Sequence, residues 1–401
     1  DTTSVPQSSR RNRHLPENSH KARRTVKIRS IKTHIVGEVR NFLFVVVETD
    51  EGITGVGEAG ITWREEAMAG FVHALTPSLI GQDPNRIEHL WQVMLRCGFF
   101  PGGRIGAAAI SAIDIALWDI KAKALGVPVY ELLGGLVREK VVCYPHVPDG
   151  TLEEMVSGCR QKIDEGWKFV RFNLPSQGDQ LEPTTSVREG VALVEAVRTE
   201  LGPEAEIIID VHTRLDPPDA ITLCRQLEPF RPYFVEDPVR CENPAAIGRL
   251  RQHVATPIAM GEQYATKWEF REALENDWID FCRLDVCNVG GLTEARKIAG
   301  WCETHYIPIA PHNPLGPVST AACLHLDLAT SNFAVQECAR IPGEVLSDLF
   351  PVQVPFENGY MLPPTLPGLG VEFDESALEK YPPVEGDCPR LSRADGSFTN
   401  W

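Results

Sequence analysis

Residues 206–262 decide the fold, and they read EIIIDVHTRLDPPDAITLCRQLEPFRPYFVEDPVRCENPAAIGRLRQHVATPIAMGE. Three short apolar runs in this stretch have the length of β-strands, and each ends in a carboxylate: Asp210, Glu236 or Glu262. Both intervals between these acids are 26 residues, which is enough for one strand, one helix and their loops. The stretch therefore predicts three successive βα units.

The same rhythm continues on both sides of this stretch. Eight strand-like runs follow one another: Val141–Val147, Phe169–Leu174, Glu206–His212, Tyr233–Asp237, Ile258–Glu262, Phe281–Val286, Ile307–His312 and Phe333–Glu337. Helical stretches between them include Leu152–Glu165, Val187–Leu201, Ala220–Leu227 and Leu292–His305. Eight strands, each followed by a helix, predict an α/β fold with a (β/α)8-type barrel, a modified TIM barrel. A doubly wound open sheet is the alternative, but it usually has fewer strands and a Gly-rich first turn.

The remaining sequence divides into three further parts. Residues 1–24 are polar and basic, and we expect a flexible tail. Residues 25–138 begin with strand-like runs and continue with helical sequence, including Ala107–Leu125 closed by Gly126 and Pro128, which predicts an α+β domain. The barrel domain then occupies residues 139–353, and residues 354–401, a Pro- and Gly-rich segment, are expected to return to the first domain.

Charge and cysteine content limit the classes of partner. The chain has 39 Lys+Arg and 55 Asp+Glu, a net charge of −16, which argues against nucleic acid or an anionic membrane as the main partner. No apolar run approaches the ~20 residues that span a bilayer. A small anionic substrate is still compatible, because a bound divalent cation can reverse the local field. The eleven cysteines are scattered singly, which favours reduced thiols in the cytoplasm.

The three acids are predicted to lie together. Since each ends a barrel strand, Asp210, Glu236 and Glu262 should meet at the C-terminal face, where barrel active sites lie. Three carboxylates in one place repel unless a cation neutralises them, and hard oxygen ligands suit Mg²⁺ better than zinc or copper. The alternative is that each acid merely caps the helix after its strand.

Two histidines share this predicted mouth. Asp285 and His312 lie 27 residues apart on neighbouring strands, and a carboxylate on one ring nitrogen would make the other nitrogen of His312 a general base. A lone His after a strand would more often be a satisfied polar residue. His212 follows Asp210 by two positions, so both side chains point to one face. It could reach the substrate, or it could support a metal-bound carboxylate.

Glu337 lies 25 residues after His312, at the end of the eighth run. If protonated, it could donate a hydrogen bond to an enediolate; the alternative is a structural Glu at the barrel rim. Removing a proton next to a carboxylate needs such stabilisation, chiefly from Mg²⁺ and hydrogen-bond donors. His146, after the first run, is a weaker candidate for a substrate contact, and a histidine at such a place is more often structural.

Several motifs together carry a family resemblance over about residues 25–385. They are SAIDIALWDIK (111–121), LLGG (132–135), VEDP (235–238), NVGGLT (288–293) and APH (310–312). With these motifs the chain resembles the enolase superfamily, specifically its mandelate racemase subgroup, and most closely the acid-sugar dehydratases of the galactonate dehydratase kind. Mannonate dehydratases share the pattern DVHTRL (210–215), but they lack the Asp–His pair of this chain.

The resemblance implies an N-terminal capping domain that closes over the barrel with loops at Val36–Asn41 and Ala59–Arg64. It implies Asp210, Glu236 and Glu262 as ligands of one Mg²⁺. The implied base is His312, oriented by Asp285, with Glu337 near the substrate carboxylate. It also implies a homo-oligomer, a dimer or an octamer.

The implied reaction is dehydration of a sugar acid, an aldonate, to a 2-keto-3-deoxy sugar acid through an enediolate. His312 would remove the C2 proton and His212 would protonate the leaving C3 hydroxyl. Many relatives carry Lys-x-Lys after the second strand, whereas this chain has Arg171-Phe172-Asn173, so one-base chemistry is favoured and Arg171 and Asn173 are expected to contact substrate. A racemase or epimerase of 2-hydroxy acids and a non-catalytic sugar-acid binding protein are the alternatives.

Overall fold

The computed structural model of the chain describes residues 26–386 and 388–400. The expected flexible tail at residues 1–24 lies outside this range. Within the described range, no helix combines the length and the apolar character that crossing a bilayer requires.

The N-terminal part is an antiparallel sheet with helices packed on it. Its sheet has the order β1-β2-β3. Residues 42–47 of the central strand are all buried, and since successive side chains alternate between faces, both faces of the sheet are covered there. The elements are β1 (Ile28–Gly37), β2 (Asn41–Thr49), β3 (Thr54–Ala59), α1 (Glu65–Leu79), α2 (Ile87–Arg96), α3 (Gly103–Leu125) and α4 (Val129–Leu133).

Helix α3 is the centre of this capping domain. Most of its residues are buried, and it ends at Gly126, whose φ of 70° is the left-handed conformation that glycine adopts easily at helix ends. It packs closely on β3, where a Cβ at Gly57 would lie 1.7 Å from the carbonyl oxygen of Ala112. The predicted helix at Ala107–Leu125, closed by Gly126, is confirmed.

The second part is the predicted barrel of parallel strands. Parallel ladders join β10 to β4 and run in order from β5 to β9. Single bridges complete the ring between His146 and Arg171, between Cys282 and Ile309, and between Ile309 and Phe333. The strands are β4 (Val141–Pro145), β5 (Phe169–Asn173), β6 (Glu206–Asp210), β7 (Phe234–Glu236), β8 (Ile258–Met260), β9 (Phe281–Cys282) and β10 (Gln336–Cys338).

The seventh predicted run, Ile307–His312, occupies its place in the ring through bridges at Ile309 rather than as a full strand. Pro308 and Pro311 flank that residue, and proline has no N–H to donate to a ladder. The run therefore occupies the seventh position in the barrel, but it pairs with its neighbouring strands only through single bridges.

Seven helices connect these strands: α5 (Leu152–Asp164), α6 (Pro183–Leu201), α7 (Pro217–Leu227), α8 (Pro244–Arg251), α9 (Lys267–Glu275), α10 (Gly291–Thr304) and α11 (Pro317–Ala329). Helices α6 and α7 begin three or four residues before the predicted starts, because proline is well suited to the first helical turn. In the described range no α-helix follows β10, so the expectation of a helix after every strand is wrong for the eighth.

The C-terminal segment contacts both domains. It contains β11 (Phe356–Glu357), β12 (Tyr360–Met361), a 3-10 helix (Glu375–Lys380), β13 (Leu391–Ser392) and β14 (Phe398–Thr399). Strand β12 pairs with β4 of the barrel, and Asn41 of the capping domain exchanges two hydrogen bonds with the backbone of Val384. Near its end, Ser392 accepts a hydrogen bond from the N–H of Leu181 in the barrel. Residues of this segment therefore contact the cap, as expected, and also the barrel.

Candidate active site

The predicted metal ligands lie at one end of the barrel. Asp210 and Glu236 are the last residues of β6 and β7 and are register partners in the ladder, and Glu262 follows β8 by two residues. Residues at equivalent ends of parallel strands face one mouth, so the sequence spacing and the geometry agree on where these three acids stand.

An acidic cluster is the central feature of this mouth. Carboxylate oxygens of Glu236, Asp237 and Glu262 all lie within 4.8 Å of one another. Oε2 of Glu236 is buried and makes no hydrogen bond in the described structure, whereas Oε1 of Glu236 and Oδ2 of Asp237 lie 2.7 and 3.6 Å from the guanidinium group of Arg283. A buried oxygen without a hydrogen bond, in a cluster of hard ligands, fits a divalent cation such as Mg²⁺.

Burial sets the protonation of this cluster. It raises the pKa of Glu236 to about 8, and the neighbouring charge of Asp210 adds to the increase, although Arg283 and Arg171 act against it. It also raises the pKa of Asp237 well above the usual range, with a further contribution from Glu262. Ionising either acid therefore costs free energy, and a cation bound at this place would offset that cost.

Asp237 was not among the predicted site residues. Regular strand alternation would place Asp237, next to Glu236, on the opposite face. Its φ of 39° departs from strand geometry, and its carboxylate reaches the cluster. The only signal in the sequence was the second acid of the Glu-Asp-Pro motif.

Asp210 stands beside this cluster, and an arginine contacts it. Arg171 donates to Oδ2 of Asp210, and the same guanidinium nitrogen lies 3.7 Å from Oε1 of Glu236. Burial alone would raise the pKa of Asp210, but Arg171 and His212 outweigh it and hold this pKa well below its usual range. One guanidinium group thus faces two of the predicted metal ligands.

Arg171 and Asn173, the predicted substrate contacts, form hydrogen bonds with other side chains of the protein. Arg171 is only 5% exposed and also donates to Oδ1 of Asn173 at 2.8 Å. Asn173 in turn donates to the carboxylate of Asp149 at 3.0 Å. In this geometry Arg171 contacts a predicted ligand, Asp210, rather than open space at the mouth.

His212 lies against the same carboxylate. Its Nδ1 is 3.1 Å from Oδ2 of Asp210, and its backbone N–H donates to Oδ1 at 2.6 Å. The residue has a φ of 55°, in the left-handed region, and is followed by Thr213 with a φ of 57°. This strained turn brings the ring of His212 back to Asp210, which is compatible with either of the two roles expected for it.

The Asp285–His312 pair is formed. Nδ1 of His312 lies 2.7 Å from Oδ2 of Asp285, and its Nε2 lies 3.6 Å from Oε2 of Glu262. Burial acts to lower the pKa of His312, but Glu262, Glu337 and Asp285 together raise it to about 9. Because the charge of Glu262 contributes to this increase, a cation bound to Glu262 would offset part of it. The Nε2 atom of His312 thus faces the acidic cluster.

Glu337 is held by three groups. Its Oε1 lies 2.7 Å from Nε2 of His146, and its Oε2 accepts from Arg283 at 2.9 Å and from the N–H of Asn313 at 2.8 Å. Burial would raise the pKa of Glu337, but Arg283, His312 and His146 lower it well below the usual range. The carboxyl group is therefore ionised, which corrects the expectation that a protonated Glu337 donates a hydrogen bond.

His146 supports Glu337. Burial and Arg171 lower the pKa of His146 to about 4, so the ring is neutral and donates from Nε2 to the carboxylate. Its expected contact with substrate would compete with this hydrogen bond, whereas the structural alternative agrees with it.

Arg283 is a second residue that sequence reasoning missed. It is fully buried, and its guanidinium lies 2.5 Å from the hydroxyl of Tyr144, 2.7 Å from Glu236, 2.9 Å from Glu337 and 3.4 Å from Glu262. Arg283 precedes Asp285 by two residues, so strand alternation places both side chains on the same face. The signal in the sequence that could have identified Arg283 is a charged residue inside an apolar run. Arg283 balances part of the negative charge of the cluster.

The capping domain reaches the mouth through the two expected loops. Arg40, between β1 and β2, donates to the carbonyl oxygen of Pro314 at 3.2 Å and also to Thr62 in the loop after β3. Glu38 accepts from the N–H of Leu346 at 3.0 Å. Since Pro314 follows His312 by two residues, these loops border the proposed base.

Fold and site together define a capped barrel enzyme whose mouth is suited to a divalent cation. Residues 154–377 match the family described as enolase C-terminal domain-like, and residues 21–134 match the mandelate racemase / muconate lactonizing enzyme N-terminal domain. The chain belongs to the mandelate racemase / muconate lactonizing enzyme family of the enolase superfamily, which confirms the resemblance inferred from its motifs.

Relatives at this level of identity are named as sugar-acid enzymes. A D-galactonate dehydratase of Ralstonia pickettii is 40% identical over 368 residues, covering 90% of this chain and 96% of the relative. A D-mannonate dehydratase of a Caulobacter species is 36% identical over 403 residues, covering 94% of this chain and 100% of the relative. The crystal structure of an enolase from Pantoea ananatis with bound D-gluconate and Mg matches with a TM-score of 0.88 and 32% identity, covering 94% of this chain and 100% of that one.

Proposed function

We propose that this enzyme dehydrates an aldonate to a 2-keto-3-deoxy sugar acid and depends on Mg²⁺ to do so. The observation that carries the proposal is the Asp285–His312 pair, whose outward nitrogen faces the acidic cluster at 3.6 Å from Glu262. A base beside a cation site is what proton removal next to a carboxylate requires. Relatives named as D-galactonate dehydratases support the sugar-acid substrate class.

The metal ligands in this proposal are Asp210, Glu236 and Glu262, with Asp237 beside them. When bound by these residues, Mg²⁺ would supply positive charge that stabilises the negative charge developed on the substrate during proton removal. Arg171 and Arg283 are fixed cations around the same acids, so several carboxylates can converge before a metal binds.

The chain's own residues then carry out the proton transfers. Nε2 of His312 takes the proton from C2, and the C–H electron pair passes into the enediolate. Asp285 stabilises the resulting imidazolium through its 2.7 Å contact with Nδ1. His212 protonates the hydroxyl at C3, the C3–O bond breaks, and water leaves. The enol product tautomerises to the 2-keto-3-deoxy acid, so that one water is lost and no redox change occurs.

The proposal is tested by incubating the full chain with a panel of aldonates and aldarates, with Mg²⁺ and with a chelator. We expect a 2-keto-3-deoxy product from at least one aldonate, and we expect the chelator to stop its formation and added Mg²⁺ to restore it. Binding of the sugar acids without turnover in the presence of Mg²⁺ would contradict the proposal and favour a binding protein.

His212→Asn separates the two proton transfers. Because His212 is the proposed acid for the leaving hydroxyl, the variant should still exchange the C2 proton with deuterium but should release no water. NMR of the substrate in D₂O measures the exchange, and the keto-acid assay measures the dehydration. Equal loss of both would instead assign His212 to support of Asp210, which it contacts at 3.1 Å. Epimerised substrate from the wild-type protein without keto acid would favour the racemase alternative.

We also infer a homo-oligomer in the cytoplasm. Phe99 and Phe100 are 93% and 81% exposed, and together with the half-exposed Trp268 they border a cavity of about 670 Å³. Apolar side chains so exposed on one face favour contact with another subunit. Nine of the eleven cysteines are buried, which suits a reducing compartment.

A further inference from the structure

Two of the barrel helices that begin without a side-chain cap of their own lie next to the Asp285–His312 pair. Helix α10 follows the strand that leads to Asp285, and helix α11 follows the run that carries His312; their N-cap residues are Gly290 and Gly316. The first N–H groups of any helix lack partners within the helix and must find them elsewhere. Here the partners come from the capping domain.

At α10 the partners are two residues of α3. The hydroxyl of Ser111 accepts from the N–H groups of Gly290 at 2.8 Å and Gly291 at 3.0 Å, and Asp114 accepts from the N–H of Thr293 at 3.0 Å. Ser111 and Asp114 are completely buried. A Cβ at Gly291 would lie 2.3 Å from the carboxylate of Asp114, so this approach requires glycine.

The turn just before α10 is tied directly to Asp285. The N–H of Cys287 donates to Oδ1 of Asp285 at 2.7 Å, and the amide of Asn288 donates to Oδ2 at 2.9 Å. The capping domain also holds this stretch through Gly60, whose N–H donates to the carbonyl of Cys287 at 3.2 Å. A shift of the turn would therefore shift the carboxylate that orients His312.

At α11 the partner is Glu58 on β3. Its two carboxylate oxygens accept from the N–H of Gly316 at 2.7 Å and from the N–H of Ser319 at 2.8 Å. Glu58 is fully buried, and a Cβ at Gly316 would lie 2.8 Å from its Oε1. Gly316 follows His312 by only four residues, so this contact fixes the backbone on the other side of the pair.

We propose that Glu58, Ser111 and Asp114 are positioning residues for the Asp285–His312 pair, so that the capping domain sets the geometry of the base as well as covering the mouth. Each residue holds the backbone just after one member of the pair. Proton abstraction depends steeply on the placement of the base, and a displacement of 1 Å can reduce a rate by about 100-fold. The proposal rests on the proposed function for its kinetic test only.

The chain offers a matched control on the same helix. Asp119 is also a fully buried carboxylate of α3, and burial raises its pKa as it does for Asp114. It accepts from the N–H groups of Val56 at 3.1 Å and Leu369 at 2.9 Å, and contacts Lys123. None of these residues adjoins the Asp285–His312 pair, so loss of Asp119 should cost stability without moving the base.

The experiment compares Glu58→Gln, Asp114→Asn, the milder Ser111→Ala and the control Asp119→Asn. For the first two we expect kcat to fall by up to about 100-fold, with little change in KM or in the dissociation constant of Mg²⁺, since the proposed metal ligands follow other strands. The kinetic isotope effect with C2-deuterated substrate should increase, because proton removal becomes slower relative to other steps. Asp119→Asn should lower the melting temperature with kcat and isotope effect unchanged.

A second readout does not depend on turnover. The proton shared between Nδ1 of His312 and Asp285 should give a low-field ¹H NMR signal that moves or disappears in Glu58→Gln, Asp114→Asn and Ser111→Ala, and persists in Asp119→Asn. An unchanged signal in Ser111→Ala and in whichever other variants fold would overturn the positioning role. A wild-type protein that shows this signal but dehydrates no sugar acid would contradict only the proposed function.

Discussion

His312→Asn should eliminate dehydration, with a loss of at least about 10²–10⁴-fold, the usual contribution of a general base. The asparagine side chain can still accept or donate a hydrogen bond towards Asp285, but it cannot take a proton from C2. Both keto-acid formation and C2 deuterium exchange should be lost. Mg²⁺ binding should be nearly intact, because His312 is not a proposed ligand.

A second His–Asp pair provides the control for this variant. Nδ1 of His305 lies 2.9 Å from Asp277, at the C-terminal end of α10 and away from the mouth. His305→Asn removes an imidazole from a similar pair and should leave both activities at the wild-type level. C2 exchange at near-normal rate in His312→Asn would show that another group is the base.

Asp210→Asn should weaken Mg²⁺ binding by at least about 100-fold, more than loss of an outer hydrogen-bond partner of a metal site usually costs. Asp210 and Glu236 are register partners at the mouth, and both face Arg171, so the neutral amide would remove a ligand charge and leave this arginine with a weaker partner. Calorimetric titration with Mg²⁺ measures the affinity. Thermal melts with and without the metal give an independent value, since the stabilisation of the folded state by a ligand rises with the logarithm of the ligand concentration divided by its dissociation constant.

Asp237→Asn is the decisive comparison, because Asp237, and not Asp210, belongs with Glu236 and Glu262 to the group of carboxylates whose oxygens lie within 4.8 Å of one another. We expect a smaller loss of affinity in this variant, since Asp237 follows the strand end by one residue and reaches the cluster only through its unusual backbone angle. If Asp237→Asn abolishes binding while Asp210→Asn leaves it unchanged, the ligand set is Glu236, Asp237 and Glu262.

The residue spacing in the sequence was sufficient to place the main groups of the site. Repeated intervals of about one βα unit put Asp210, Glu236, Glu262, Asp285 and His312 around one mouth, because every strand of a parallel barrel presents its carboxyl end on the same face. Apolar periodicity and the stop at Gly126 were likewise sufficient for α3. These signals are local in the sequence, and because all the barrel strands run in the same direction, they also predict which residues lie together in the fold.

Tertiary structure alone decided how these groups are charged and held. Arg283 and His146 make Glu337 an ionised carboxylate, and the backbone angle at Asp237 turns a second acid into the cluster. The contacts of Glu58 with Gly316 and of Ser111 with Gly290 join residues 258 and 179 positions apart. Protonation depends on burial and on the distance to every neighbouring charge, and those quantities exist only once distant segments have packed together.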